Sequence, residues 1–178
     1  MKILAISGAL RKKSFNTQLL KAVQELSPPE MAIEIATLHG VPLYDGDEED
    51  KHGVPASVKA LQEKVRQANG VIISTPEYNF SVAGVLKNGL DWMSRSGNPF
   101  KWKPVGVMGA SEGPVGTARA QYHLRQNLVG LEAVTMPKPE IFVALAPSKF
   151  ADGKLTDEVT KKIIANWLAA FREWVKRG

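Results

Sequence analysis

The chain has 178 residues, 44% hydrophobic and 23% charged, a length that suits one domain with a substantial core and a composition that excludes a disordered polymer. Its 23 Lys plus Arg against 18 Asp plus Glu give a net charge of +5, which favours anionic ligands; the densest basic runs, Arg11-Lys12-Lys13 and Lys161-Lys162, are too sparse for a nucleic-acid surface. There is no Cys, which excludes disulfides, thiolate metal sites and cysteine nucleophiles and leaves redox chemistry to a bound cofactor.

Residues 2 to 7 form a short apolar run ending in Ser-Gly and read as a buried strand opening into a loop. Asn16 or Ser14 can cap the helix that follows; Leu19, Val23 and Leu26 fall on one face, and Ser27-Pro28-Pro29 stops it. Ile33 and Ile35 sit in a strand-like stretch. His39 to Gly53, with an acidic run from Asp45 to Asp50 and no apolar periodicity, reads as an exposed loop. Pro55 suits a first helical turn, and Val58, Leu61, Val65 and Ala68 continue at intervals of three and four toward the strand Val71 to Thr75.

Ser81 can cap a helix through about Met93, and Pro104 to Gly109 make the next buried strand. A helix from about Gly116 to Leu128 follows, then a strand near Ala133 to Met136 and a second extended piece at Glu140 to Leu145. Thr156-Asp157-Glu158 opens the last helix, whose Val159, Ile163, Trp167, Phe171 and Trp174 make an apolar stripe. Five strands alternating with about five helices predict a three-layer, doubly wound α/β fold of flavodoxin-like type with strand order 2-1-3-4-5, in a single domain spanning residues 1–178. The N-terminal apolar stretch is too short for a signal peptide, and nothing approaches the ~18 apolar residues of a membrane span, so a cytoplasmic location without membrane insertion is expected.

In open α/β sheets ligands bind beyond the carboxyl ends of strands, and three unusual loops fall there: SGALRKKSFNT after the first strand, TPEYNF after the third and GASEGPVG after the fourth. The first carries Ser7, Arg11, Ser14, Asn16 and Thr17 at a helix start, the groups that suit a phosphate, because oriented N–H donors and the helix dipole favour an anion and Arg adds charge-assisted bonds. It matches neither the triphosphate loop nor G-x-G-x-x-G, and a plain helix cap by Ser14 or Asn16 is the alternative. The second places Pro76, Glu77, Tyr78, Asn79 and Phe80 together, offering apolar faces and an amide to a flat heterocycle. The third combines Gly109, Gly113 and Gly116 with Ser111 and Thr117, allowing close backbone approach, although a tight strand-to-helix turn explains it equally well.

With these loops in view the chain resembles the NADPH-dependent FMN reductase family, which includes flavodoxin-like quinone and chromate reductases. The pattern G-S-L-R-x-x-S-x-N is met by Gly8, Leu10, Arg11, Ser14 and Asn16, and T-P-E-Y-N is complete at Thr75 to Asn79, continuing into Leu86-Lys87-Asn88 and Asp91-Trp92. The resemblance implies that Arg11, Ser14, Asn16 and Thr17 hold the phosphate of FMN, that Pro76, Glu77, Tyr78 and Asn79 border its ring, and that Ser111 closes the other side. Ala9 stands where the family usually has Ser, and Lys13 where Gly is common; Lys13 is expected to compensate by charge.

The implied chemistry is a hydride passed from NADPH or NADH to the flavin and electrons passed on to quinones, chromate or similar acceptors, in ping-pong fashion, with no catalytic acid or base. Glu77 is the one tempting candidate for such a role and reads better as a surface carboxylate or a partner for a neighbouring cation. A homodimer is also implied, with Arg119, Tyr122 and Glu140 supporting a tetramer; the apolar circumference of the helix with Leu86, Leu90, Trp92 and Met93 is expected to be covered by the partner. His39, His52 and His123 are too scattered to suggest a metal. A flavodoxin-type electron carrier without nicotinamide turnover is the alternative, and a flavin-free sheet domain binding another phosphorylated metabolite is a further one.

Overall fold

A computed structural model describes residues 1–178. Its central strands are continuous apolar runs: β1 (Lys2–Ser7), β3 (Gly70–Ser74) and β6 (Pro104–Ala110) are buried almost throughout, the signature of parallel strands covered on both faces. β2 (Ala32–Thr37) lies on one edge and alternates more. With the two-residue hairpin strands β4 (Glu77–Tyr78) and β5 (Ser81–Val82) forming their own small sheet, the main sheet runs β2-β1-β3-β6-β7, where β7 is Val134–Thr135. This is the expected 2-1-3-4-5 order of a flavodoxin-like sheet.

The fifth position is split. β7 pairs with Pro104–Val105 and β8 (Ile141–Val143) with Met108–Ala110, on the same side of β6. The strand and the second extended piece expected near the C-terminus are therefore two halves of one sheet position, separated by a detour containing the cis Lys138-Pro139 peptide.

Helices α1 (Phe15–Glu25) and α6 (Glu158–Arg177) cover one face through Leu19, Leu20, Val23, Trp167 and Phe171. Helices α3 (Ala56–Gln67), α4 (Gly84–Met93) and α5 (Ala118–Gly130) cover the other through Val58, Val65, Leu86, Leu90, Leu124 and Leu128. Burying each large apolar side chain contributes about 1.5–3 kcal/mol. Gly106 lets α6 settle onto β6: a Cβ there would stand 2.4 Å from the Trp167 ring.

Several local expectations are corrected. The acidic segment is not a plain loop but holds helix α2 (Gly46–His52), all of it unburied. Asp45 caps it by accepting from the Asp47 N–H at 2.9 Å, and Asp47, Glu48 and Glu49 sit at the positive end of its dipole. Ser81 does not cap α4, because Ser81–Val82 is hairpin strand and α4 starts at Gly84. On α6 the buried stripe is Thr160, Ile164, Trp167, Leu168, Phe171 and Val175, with Val159 and Ile163 exposed; Trp167 and Phe171 of the expected stripe are kept, while its other members give way to the residues next to them.

The apolar circumference of α4 needs no partner subunit. Trp92 is buried under residues of its own chain: its indole N–H donates to the Pro42 carbonyl at 2.9 Å, and the Tyr44 ring meets it edge-on with centroids 4.9 Å apart. Asn88 completes the clamp, donating to the same carbonyl at 2.8 Å and accepting from the Tyr44 N–H at 2.8 Å. Residues 42–44 are thus strapped across α4 by the Asn88 and Trp92 side chains.

Candidate functional site

Strand register aligns the three loops. Ser7 of β1 pairs with Ser74 of β3, and Ser74 with Met108 of β6, so these strands end nearly level and their loops leave along one edge. The loops meet around a cleft of about 430 Å³.

The first loop turns into α1 through Ser14, whose hydroxyl oxygen accepts from the N–H groups of Asn16 at 3.2 Å and Thr17 at 3.5 Å. Its hydroxyl hydrogen remains free to donate. The Asn16 carboxamide is occupied inside the protein: it donates to the Ala110 carbonyl at 3.0 Å, accepts from the Ala110 N–H at 3.0 Å, and accepts from the Ser74 hydroxyl at 2.9 Å. It ties the start of α1 to the ends of β3 and β6. The His39 ring braces the same loop, bonding to the Thr37 hydroxyl at 3.0 Å and the Leu10 carbonyl at 3.1 Å.

The second loop is the β4–β5 hairpin. Its central residues Asn79 and Phe80 both have positive φ, 49° and 65°, the geometry of a type I′ turn. Asn tolerates this well and Phe does not. The Phe80 ring lies under the Arg119 guanidinium, 3.8 Å from carbon to centroid, a cation–π contact that offsets part of the strain.

Glu77 explains the start of α5. Thr117, the residue before that helix, is left-handed (φ 68°) and gives no side-chain cap. The Glu77 carboxylate supplies one instead, accepting from the N–H groups of Arg119 at 3.1 Å and Ala120 at 3.2 Å, and it also pairs with the Arg119 guanidinium. It is nearly buried and fully engaged, a cap and a cation partner.

The third loop is pinned on its outer side. Ser111 donates its N–H to Val143 and its hydroxyl to Gly113, while Leu145 donates to the Gly113 carbonyl at 3.0 Å. Gly116 (φ 59°) packs where a Cβ would stand 2.6 Å from the Phe142 backbone, so glycine is required. At Gly113 a Cβ would meet nothing within 4 Å.

Of the residues anticipated as binding, Arg11, Ser14, Asn16, Pro76, Glu77, Tyr78 and Ser111 line the cleft. Two do not. The Thr17 hydroxyl turns inward to the Ser7 hydroxyl at 2.8 Å, and Asn79 sits at the hairpin tip away from the lining. Lys13 also lies off the cleft, its carbonyl accepting from Arg11 and Gln18. Phe15, Ala110, Glu112, Pro114, Val115 and Arg119 join the lining without having been singled out for it; all but Arg119 belong to the first or third loop, and loop membership was the only sequence signal for them.

The donor set suits a molecule with an anionic tail and a flat ring. The N–H of Phe15, first in α1, and those of Glu112 and Gly113 donate to no group of the chain, and these residues line the cleft together with Arg11 and Ser14.

A sequence model of the family described as NADPH-dependent FMN reductase matches residues 1–148. The chain is 45% identical to an NAD(P)H-dependent FMN reductase of Pseudomonas aeruginosa, over 99% of this chain and 96% of that one. It is 41% identical to a quinone reductase of Escherichia coli, over 99% and 96%. Its fold superposes on a solved flavoenzyme NAD(P)H:(acceptor) oxidoreductase of Paracoccus denitrificans with a TM-score of 0.88 and 33% identity, covering 99% of this chain and 97% of the other.

Proposed function

This chain belongs to the NADPH-dependent FMN reductase family, and we propose that it holds FMN in the cleft between its three loops, as one flavin-binding unit spanning residues 1–178. It is an FMN-dependent oxidoreductase with NAD(P)H as reductant and a quinone or flavin as acceptor. The observation that carries the placement is the convergence of a helix N-terminus with an unpaired N–H, a cation and a glycine-bearing loop on one cleft of about 430 Å³.

When bound, FMN supplies the two-electron chemistry that side chains lack, taking electrons from the nicotinamide and passing them to the acceptor. The chain's own groups position it. Arg11 and the Ser14 hydroxyl hold the phosphate with the Phe15 N–H. Asn16 holds that loop against β6 rather than touching the ligand. Pro76 and Tyr78 border the ring on one side, and the free N–H groups of Glu112 and Gly113 meet polar atoms on the other. Glu77 fixes the hairpin to α5, which keeps Arg119 at the cleft. Tyr78 is 58% exposed, leaving an approach for a planar substrate. We propose chromate beside quinones as a further acceptor, on the resemblance that the loop motifs carry.

A homodimer, extending to a tetramer, is the assembly this reading favours. Tyr122, Val129 and Phe142 are exposed apolar residues on or beside α5, and Tyr122 and Phe142 approach with centroids 6.5 Å apart. Arg119 and Glu140 are each already paired within the chain, with Glu77 and Lys138, so Tyr122 is the member of the expected polar set best placed to reach a partner. No helix is long and apolar enough to cross a membrane; the cytoplasm is the location this proposal takes. Steady NADPH oxidation by FMN-loaded protein in the presence of a benzoquinone tests the activity; a protein that carries FMN yet oxidises NADPH no faster than free FMN does would overturn it.

A further inference from the structure

A second hollow, of about 620 Å³, opens directly beside the cleft and shares Arg11, Phe15 and Glu112 with it. Its own walls come from Lys12, Lys13 and Gln18 on one side and from Pro147, Phe150 and Gly153 on the other. The latter belong to the segment after β8, where β9 (Phe150–Ala151) and β10 (Lys154–Leu155) form a hairpin turned by Asp152 and Gly153. Gly153 has φ 80° and open space where a Cβ would stand, so the backbone is approachable there.

The charge around this hollow is not internally neutralised. Arg11 pairs loosely with Glu112 at 3.6 Å, but Lys12 and Lys13, which line the hollow, make no ion pair. The hollow is far larger than one phosphate requires, and the Phe15 and Phe150 rings, with centroids 5.5 Å apart, give it an aromatic floor. Cations lie next to the proposed phosphate grip, with apolar and backbone surface beyond.

We propose that this hollow is an adenylate subsite: it takes the adenosine-phosphate half of a dinucleotide whose other half occupies the cleft. The inference rests on the reading of the cleft as the FMN site. Two molecules bring that chemistry, FAD in place of FMN, or the reduced nicotinamide dinucleotide lying over bound FMN. In either case Lys12 and Lys13 contact the outer phosphate and the adenosine lies toward Phe150 and Gly153.

The test compares wild type with the double variant K12A/K13A, and with K12R/K13R as the charge-preserving control. Binding of FMN and of FAD to flavin-free protein is measured by quenching of flavin fluorescence. On FMN-loaded protein, KM is measured for NADPH and for reduced nicotinamide mononucleotide, which lacks the adenylate. If FAD is the occupant, the alanine pair weakens FAD by about tenfold or more, as loss of one charge-assisted contact predicts, while FMN changes by less than about threefold, the residue of screened long-range attraction. If the nicotinamide dinucleotide is the occupant, KM for NADPH rises by a similar factor and that for the mononucleotide does not. The arginine pair restores the wild-type value in either case. Equal losses for FMN and FAD with no selective rise for NADPH, or no response of any adenylate-bearing ligand, would overturn the subsite while leaving the FMN site standing. Failure of wild type to bind FMN would overturn both.

Discussion

Asn16 and Ala110 exchange two hydrogen bonds across the top of the sheet, each 3.0 Å long, the carboxamide imitating a neighbouring strand. Asn16 therefore holds α1 to β6, a bracing role that its place in the motif did not suggest. Asn16→Ala strands the Ala110 N–H and carbonyl and the Ser74 hydroxyl in a buried setting, at about 1–3 kcal/mol for each group left unpaired. A loss of about 2–4 kcal/mol is expected after partial relaxation, lowering Tm by about 2–4 °C per kcal/mol for a chain of this size. Calorimetry of the flavin-free protein checks it; an unchanged Tm contradicts the bracing role.

Arg11→Ala is expected to weaken FMN by about 1.5–3 kcal/mol, the worth of a charge-assisted bond. In the structure Arg11 faces Glu112 with both side chains well exposed. Such a pair is worth about 0.2–1 kcal/mol, so a phosphate displaces Glu112 from Arg11. Glu112→Gln should therefore tighten FMN slightly, an opposite sign from the Arg11 variant that fluorescence titration reads in one experiment.

Glu77→Gln keeps the two acceptor contacts to the start of α5 and gives up the charge toward Arg119. Glu77→Ala loses both. The alanine variant is expected to cost about 0.5–2 kcal/mol from the lost cap alone, and to change turnover because Tyr78 rides on the same hairpin. Equal stabilities for wild type and Glu77→Ala, in parallel urea unfolding, are incompatible with the cap.

Asp157 caps α6 through the Thr160 hydroxyl at 2.6 Å and the Thr160 N–H at 2.7 Å. The side-chain bond from Thr160, followed by the backbone bond, lowers its carboxyl pKa below the ordinary value. A depressed folded-state pKa contributes stability that is present above the unfolded value, about 3.9, and is lost as pH falls from there through the lower folded value. Asp157→Asn should flatten the stability profile below about pH 4 and leave its shape near pH 7 alone; identical acid limbs would count against it.

The sequence made the sheet legible because the runs at 2–7, 70–74 and 104–110 are buried on both faces and admit little else. Helix α2 escaped notice because caps and dipole-matched charges make it, not apolar spacing. The face of α6 was displaced because Val159 and Ile163 carry the apolar pattern while lying in solvent. At the site, residue types pointed to the right loops but not to the partner of each group. Asn16 and Thr17 look like phosphate ligands in one dimension, and only the fold adds that the Asn16 carboxamide bonds Ala110 and the Thr17 hydroxyl bonds Ser7. Likewise Glu77 and Arg119 are 42 positions apart, and no local rule joins them.

Turnover depends on the cleft holding a flavin that NAD(P)H can reduce, and an anaerobic titration of FMN-loaded protein with NADPH and with NADH, followed in the flavin's visible bands, reads that directly. Stoichiometric bleaching by at least one nicotinamide, with the bands restored by a benzoquinone, is the predicted result. Bands that persist under both nicotinamides, in a protein that nevertheless retains FMN, would contradict it.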